Sequence, residues 1–191
     1  MVGLSVLAME RFFALLTLLA GALAILIVVA RVLHIGDDLL NSLKPAALWL
    51  AWLIAAVAMA GSLYFSENAN FVPCKLCWFQ RIAMYPLALL LLIAAVRRDF
   101  AIRMYAVPLA VVGGAISTYH YLIEWRPSLG SGTCELTAPC TVPWFRQFGF
   151  ISLPLMALCG FAAIIALLTL SRSLEGSPEP AGPEPEDLVG V

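Results

Sequence analysis

Five long apolar segments separated by short polar connections dominate the chain. They cover approximately residues 12–30, 45–65, 78–96, 104–123 and 148–170. Each is close to the ~20 residues that an α-helix needs to cross the hydrocarbon core of a bilayer. The chain is 62% hydrophobic and 12% charged, whereas a soluble domain is roughly half apolar and a quarter charged. The pattern therefore predicts an all-α integral membrane protein.

The first apolar segment, between Arg11 and Arg31, could also be the core of a secretory signal peptide. Such cores are shorter, roughly 7–15 residues, and end at a cleavage site with small residues. Residues 30–34, Ala-Arg-Val-Leu-His, offer no such site. We therefore expect a retained helix.

The polar connections divide the chain into three parts. Residues 1–44 hold the first helix and a short connection, and residues 45–172 hold the other four helices. Residues 173–191 are rich in Pro, Glu and Gly, and such a segment buries too little apolar surface to offset the entropy of ordering. We predict that this acidic tail is disordered.

The placement of basic residues predicts the orientation in the membrane. Arg97, Arg98 and Arg103 cluster in the very short connection between the third and fourth helices, which should be cytoplasmic by the positive-inside rule. All 11 basic residues together divide six to five between the cytoplasmic and the outer side, so the orientation depends on this cluster. The connection before the third helix and the connection over residues 124–146 should then both face outward. The net charge of −1 gives no reason to expect nucleic acid as a partner.

The cysteines form two close pairs outside the apolar segments. Cys74 and Cys77 precede the third helix, and Cys134 and Cys140 lie in the second outward connection. Paired cysteines on a non-cytosolic side usually form disulfides. A purely structural disulfide in the loop is one interpretation. Two pairs on one membrane face also favour a relay, in which a thiolate of one pair attacks a sulfur of the other.

The residues after the CxxC pair favour chemistry at Cys77. Cys77 is expected to precede the helix directly, where free backbone N–H groups and the helix dipole stabilise a thiolate. Arg81, four residues after Cys77, can lie on the same face of the helix. Both effects would lower the pKa of Cys77. Arg81 could instead extend to the lipid headgroups, while Gln80 offers a neutral hydrogen-bonding group.

Three other observations complete the set of candidate residues. His120, near the outer end of the fourth helix, could assist a ligand or a proton, or it could be merely interfacial. A zinc site made of all four paired cysteines is not expected, because zinc pairs usually lie roughly 15–20 residues apart and here two helices intervene. Cys159 lies within the fifth segment and is expected to be a small buried residue. We predict no metal.

Residues 74–81, Cys-Lys-Leu-Cys-Trp-Phe-Gln-Arg, resemble the motif of DsbB-type membrane thiol oxidases, especially the BdbC branch. The similarity extends from about residue 49 to residue 168, including the segments 61–67, 84–86 and 149–151. The resemblance implies a four-helix transmembrane bundle. Residues 12–30 would then form one additional N-terminal helix.

The resemblance also implies an activity. It implies a thiol:quinone oxidoreductase of the bacterial inner or plasma membrane that supports protein disulfide formation. A soluble extracytoplasmic thioredoxin-like partner, similar to DsbA, would deliver electrons to Cys134 and Cys140, with Cys134 forming the mixed disulfide. The electrons would pass from there to Cys74 and Cys77. They would then reduce a quinone of the membrane pool, either ubiquinone or menaquinone. The expected quinone-binding residues are Cys77, Arg81, Gln80 and His120.

Two other functions remain open from the residues. Proteins similar to vitamin K epoxide reductase also combine a four-helix bundle with quinones, but their loop pair precedes the CxxC pair. A non-enzymatic membrane scaffold with structural disulfides is the second alternative, and it would leave Arg81 unexplained.

Overall fold

The computed structural model describes residues 2–130 and 139–170, and they are almost entirely helical. A single isolated antiparallel bridge joins Gln147 and Ile151 within this part of the chain. The acidic tail predicted to be disordered lies outside the described residues. The α-helices are α1 (Val2–Leu33), α2 (Asp37–Leu43), α3 (Ala47–Glu67), α4 (Lys75–Arg97), α5 (Arg103–Trp125) and α6 (Leu153–Leu170).

Among the residues that the structure describes, five segments are long and apolar enough to cross a membrane. They are Ser5–Leu33, Leu40–Glu67, Lys75–Arg97, Phe100–Trp125 and Leu153–Leu170. Helices suit this environment because all their backbone hydrogen bonds are made within the segment. The prediction of an all-α membrane protein with a bundle and one additional N-terminal helix is confirmed.

Two boundaries differ from the sequence prediction. The connection over residues 31–44 contains the short helix α2. Helix α4 begins at Lys75, three residues before the predicted start, so that the second cysteine of the CxxC pair lies inside its first turn. This earlier start changes the chemistry of the site.

Helix α6 lies at the centre of the bundle, where it packs against α1, α3 and α5, while α4 packs against α3 and α5. Small residues permit these close contacts, as in other membrane bundles. A Cβ atom added to Gly113 of α5 would lie 2.3 Å from Cζ of Phe161 on α6. The helices α5 and α6 therefore approach each other closely at Gly113.

The additional helix α1 is part of the bundle. Its residues Ala24 and Ile27 belong to the main buried apolar cluster. Near its outer end, the buried carboxylate of Glu10 accepts a hydrogen bond of 2.8 Å from Nε2 of Gln147. This bond ties α1 to the segment that precedes α6.

Candidate functional site

The CxxC pair forms the start of α4. Cys74 is the N-cap residue, in an extended conformation, and its Sγ accepts a hydrogen bond of 3.3 Å from the backbone N–H of Cys77. The two cysteine sulfurs are 3.0 Å apart, within hydrogen-bonding distance of each other. Both cysteines are free thiols. The expectation that Cys77 caps the helix is wrong, because Cys77 lies inside the first turn. A cap residue lies outside that turn and accepts hydrogen bonds from its N–H groups.

His120 and Gln80 lie against this pair. Nε2 of His120 is 3.6 Å from Sγ of Cys74, and its Nδ1 is 3.3 Å from Nε2 of Gln80. An N–H group at Nε2 of this ring can donate to the sulfur. His120 is only 3% exposed. The structure therefore places His120 in the thiol site and not at the lipid interface.

These contacts make Cys74 the anionic sulfur. The hydrogen bond from the Cys77 thiol contributes most, and the hydrogen bond and charge of His120 add to it. Together they outweigh burial, which acts in the opposite direction, and they lower the pKa of Cys74 to about 4. Sequence reasoning assigned the thiolate to Cys77. The assignment moves to Cys74 because Cys74 receives the donors of the helix start.

This lowered pKa predicts an unusual pH dependence of thiol reactivity. In the reduced protein, the alkylation rate of Cys74 should stay nearly constant as the pH falls from 9 and should drop only near pH 4. His120→Ala should raise the pKa of Cys74 by about 1, the lower end of the effect of one nearby charge. The rate is measured by mass spectrometry of the labelled peptide.

Leu122→Ala, at an exposed position of α5, is the matched control and should leave the pH profile unchanged. A wild-type midpoint near pH 9 would contradict the assignment.

The loop after α5 brings one further cysteine to the pair. Cys140 is disulfide-bonded and only 1% exposed. It shares a small buried apolar cluster with Cys74, Leu76 and Ile123. Its predicted partner, Cys134, lies outside the described residues. The described part of the loop therefore places a disulfide sulfur in the same cluster as the CxxC pair.

Glu124 is a site residue that sequence reasoning used only as a helix boundary. It is 7% exposed, and its Oε2 accepts a hydrogen bond of 2.6 Å from Ser152. Arg146 donates to the backbone carbonyl of Glu124 over 2.9 Å and lies over the ring of Trp125. The spacing of four residues from His120, which puts both on one helical face, was the available signal. These bonds hold the loop against the end of α5.

A cavity of about 240 Å³ lies between the loop and the CxxC pair. Cys74, Cys77, His120 and Glu124 line it from the bundle. Trp144 is one of the loop residues that close it from the other side. Both thiols therefore face the segment that carries Cys140.

A second and larger cavity of about 450 Å³ lies among α1, α3, α4 and α6. Its walls are mainly apolar, and Cys77, Gln80 and Arg81 lie together on its α4 wall. Arg81 donates to Oγ of Ser62 over 2.9 Å and to the Ser62 carbonyl over 3.0 Å. Tyr85 also donates to Oγ of Ser62, over 3.3 Å. The guanidinium is thus held by α3 and is not extended toward the headgroups.

Ser62 and Tyr85 were not among the predicted site residues. Both lie within the segments that carry the family resemblance, 61–67 and 84–86, and this was the signal for them. Cys77 lines both cavities, whereas Cys74 lines only the smaller cavity on the loop side. With the two sulfurs 3.0 Å apart, the CxxC pair forms the connection between the cavities.

The thiol site also offers ligand atoms for a metal ion. The ligand atoms of Cys74, Cys77 and His120 all lie within 4.8 Å of one another, and two thiolates with one imidazole suit zinc. The four-cysteine zinc site that was weighed from the sequence does not form, because Cys140 is in a disulfide.

The fold and the site define a multi-pass membrane protein with a thiol–disulfide centre at one end of a helical bundle. The comparison with known families agrees. The family described as disulfide bond formation protein DsbB matches residues 44–171. The chain belongs to this family, as the sequence predicted, and is therefore a DsbB-like membrane oxidoreductase of disulfide formation.

Individual relatives point to the BdbC branch. The chain is 44% identical over 126 residues to disulfide bond formation protein C of Bacillus subtilis. The aligned region covers 65% of this chain and 91% of the relative. It is 41% identical over 148 residues to a probable disulfide formation protein of Deinococcus radiodurans, covering 72% of this chain and 96% of the relative. No solved structure matches the chain. The whole of α1 lies outside the residues that the family matches.

Proposed function

We propose that the protein is a thiol:quinone oxidoreductase that reoxidises a soluble dithiol partner and passes its electrons to a membrane quinone. The observation that carries this proposal is the position of the CxxC pair. Cys74 and Cys77 lie between a loop-side cavity and a large apolar cavity, so the pair can accept electrons on one side and release them on the other.

The residues of the large cavity fit a quinone. A quinone has a flat apolar ring with carbonyl oxygens that accept hydrogen bonds. Apolar walls with a few convergent polar groups are typical of such small-molecule sites. Gln80 and Arg81 supply N–H donors near Cys77. A ubiquinone or menaquinone bound there would supply an acceptor for two electrons and two protons.

On the loop side, a thiolate of the partner attacks the disulfide that contains Cys140, and the second partner thiol resolves the mixed disulfide. The partner leaves oxidised, and the loop cysteines are left reduced. Exchange between the loop thiols and the Cys74–Cys77 disulfide then restores the loop disulfide and reduces the pair. Each exchange conserves the number of disulfides.

In the reduced pair, His120 stabilises the Cys74 thiolate while Cys77 keeps its proton and faces the large cavity. With a quinone in the large cavity as the oxidant, Cys74 and Cys77 would form their disulfide by giving up two electrons and the Cys77 proton. The proton that Cys74 releases on ionising would supply the second proton of the quinol. Arg81 places a fixed positive charge on the same cavity wall as Cys77. Because Ser62 already holds the guanidinium, it can stabilise developing negative charge without reorganisation.

The site should face the outside of a bacterial inner or plasma membrane. Cys77 lies in the first turn of the membrane-crossing helix α4 and Arg97 is its last residue, so they lie on opposite sides of the bilayer. The basic cluster at residues 97–103 belongs in the cytoplasm by the positive-inside rule. An extracytoplasmic thioredoxin-like protein similar to DsbA fits the partner's role.

The activity of the wild-type protein in lipid nanodiscs tests the proposal. With a reduced DsbA-like protein and excess quinone, we expect one quinol for each disulfide formed, because both processes transfer two electrons. Quinone reduction is followed by absorbance, and free thiols are counted by labelling. Samples without the dithiol or without the membrane protein are the controls. Disulfide formation without loss of quinone would refute the proposal, and reduction of a vitamin K epoxide in its place would favour the epoxide reductase alternative.

A further inference from the structure

Helix α1 forms one wall of the large cavity. Six of its residues line that cavity: Phe13, Leu16, Thr17, Leu19, Ala20 and Leu23. The family match begins only at residue 44, so this wall is an addition to the part of the chain that the family shares. Without α1, the cavity would be open to lipid on this side.

The cavity has a mouth between α1 and α3. Leu19 on α1 and Leu53 on α3 both line the cavity, yet they are 72% and 50% exposed. Side chains that line a cavity and are also exposed mark its opening. Within a membrane-crossing segment, this opening faces the acyl chains.

Closely packed or buried side chains limit this mouth on both sides. Toward the cysteines, the rings of Phe13 and Phe65 are 5.5 Å apart, and a Cβ added to Gly61 would lie 2.5 Å from the Phe13 ring. Toward the other end, Ile27 of α1 and Leu48 of α3 belong to the same buried cluster. The mouth is therefore a window framed by packed helices.

The window lies deeper in the bilayer than the polar groups of the site. Leu53 precedes Ser62, which holds Arg81, by nine residues of α3, which is about 14 Å along a helix. A ligand with its ring near Cys77 and Arg81 would need a long apolar tail to reach this window.

We propose that the window between α1 and α3 is the passage for the isoprenoid tail of the quinone, so that α1 selects for long-tailed quinones. The inference rests on the proposed function. A tail gains little hydrophobic free energy on moving from lipid to protein, because lipid chains are equally apolar. The selection therefore depends on packing in the window, and a bulky side chain there should compete with the tail.

The test compares a long-chain quinone with a short-chain quinone that lacks the tail. In the full-length protein, Leu19→Trp and Leu53→Trp should each lower the amount of long-chain quinone that co-purifies, and raise its KM, by about tenfold through overpacking. The KM for the short-chain quinone should stay within about twofold. The bound quinone is extracted and quantified by chromatography.

The matched control is Leu18→Trp, an exposed neighbour on α1 that is absent from the cavity lining. It should retain both quinones at wild-type levels. If the window variants affect both quinones equally, or neither, the passage is refuted while the oxidase proposal stands. If the wild-type protein binds and reduces neither quinone, the proposed function fails and this inference fails with it.

Discussion

Replacing Cys77 by serine is expected to lower dithiol-driven quinone reduction by about a thousandfold or more, the scale of loss when a covalent catalytic group is removed. Cys77 is the cysteine that lines both cavities. Serine keeps the size of the side chain but cannot form the disulfide with Cys74. The initial rate of quinol formation in nanodiscs, with a reduced dithiol donor, measures the effect.

The matched control for this variant is Cys159→Ser. Cys159 is a free cysteine on α6 whose Sγ would lie 3.3 Å from a Cβ added to Gly21 of α1, away from the CxxC pair. This variant should keep the wild-type rate within about twofold, as expected for a residue outside the site. A Cys77→Ser protein with more than a tenth of wild-type turnover would contradict the relay.

Replacing Cys140 by serine is expected to separate the two halves of the reaction. Without the loop disulfide, oxidation of a protein dithiol partner should fall by about a hundredfold or more, because the partner has no disulfide to attack. A small dithiol should still reduce the CxxC disulfide through the loop-side cavity of about 240 Å³. Its quinone-coupled oxidation should therefore remain within about threefold of wild type. Both rates are read as quinol formation in the same preparation.

Leu129→Ala is the control for the loop. Leu129 is exposed and lies in the same connection after α5 as Cys140, but it lines neither cavity and has no redox chemistry. It should oxidise both donors at the wild-type rate. Unchanged oxidation of the protein partner by Cys140→Ser would show that the partner reacts directly with the CxxC pair, and the loop disulfide would then be structural.

Sequence and structure differ on which cysteine carries the charge. The CxxC spacing alone predicts a thiolate at the N-terminus of the helix. Either cysteine could lie close to the free N–H groups of the first turn. The choice depends on where the helix begins. Cys74 caps the helix that starts at Lys75, and His120 on α5 contacts its sulfur. The second contact depends on the packing of two helices and has no local signal.

The sequence by itself determined the class of fold, and it predicted the reactive pair. Five apolar segments predict five membrane-crossing helices, since the bilayer demands both their length and internal hydrogen bonding. The CxxC motif with Arg81 one turn later marks the redox centre. The same signals do not assign a role to residues 12–30, because an apolar helix facing lipid and one facing a cavity have similar compositions.

Only the tertiary structure decided how these parts act together. It joined Cys74, His120 and Gln80 across α4 and α5, bound Arg81 to Ser62 of α3, and made α1 a wall of the larger cavity. The reason is physical: each of these contacts joins residues that are distant in sequence. Helix packing, and not local propensity, brings them within bonding distance.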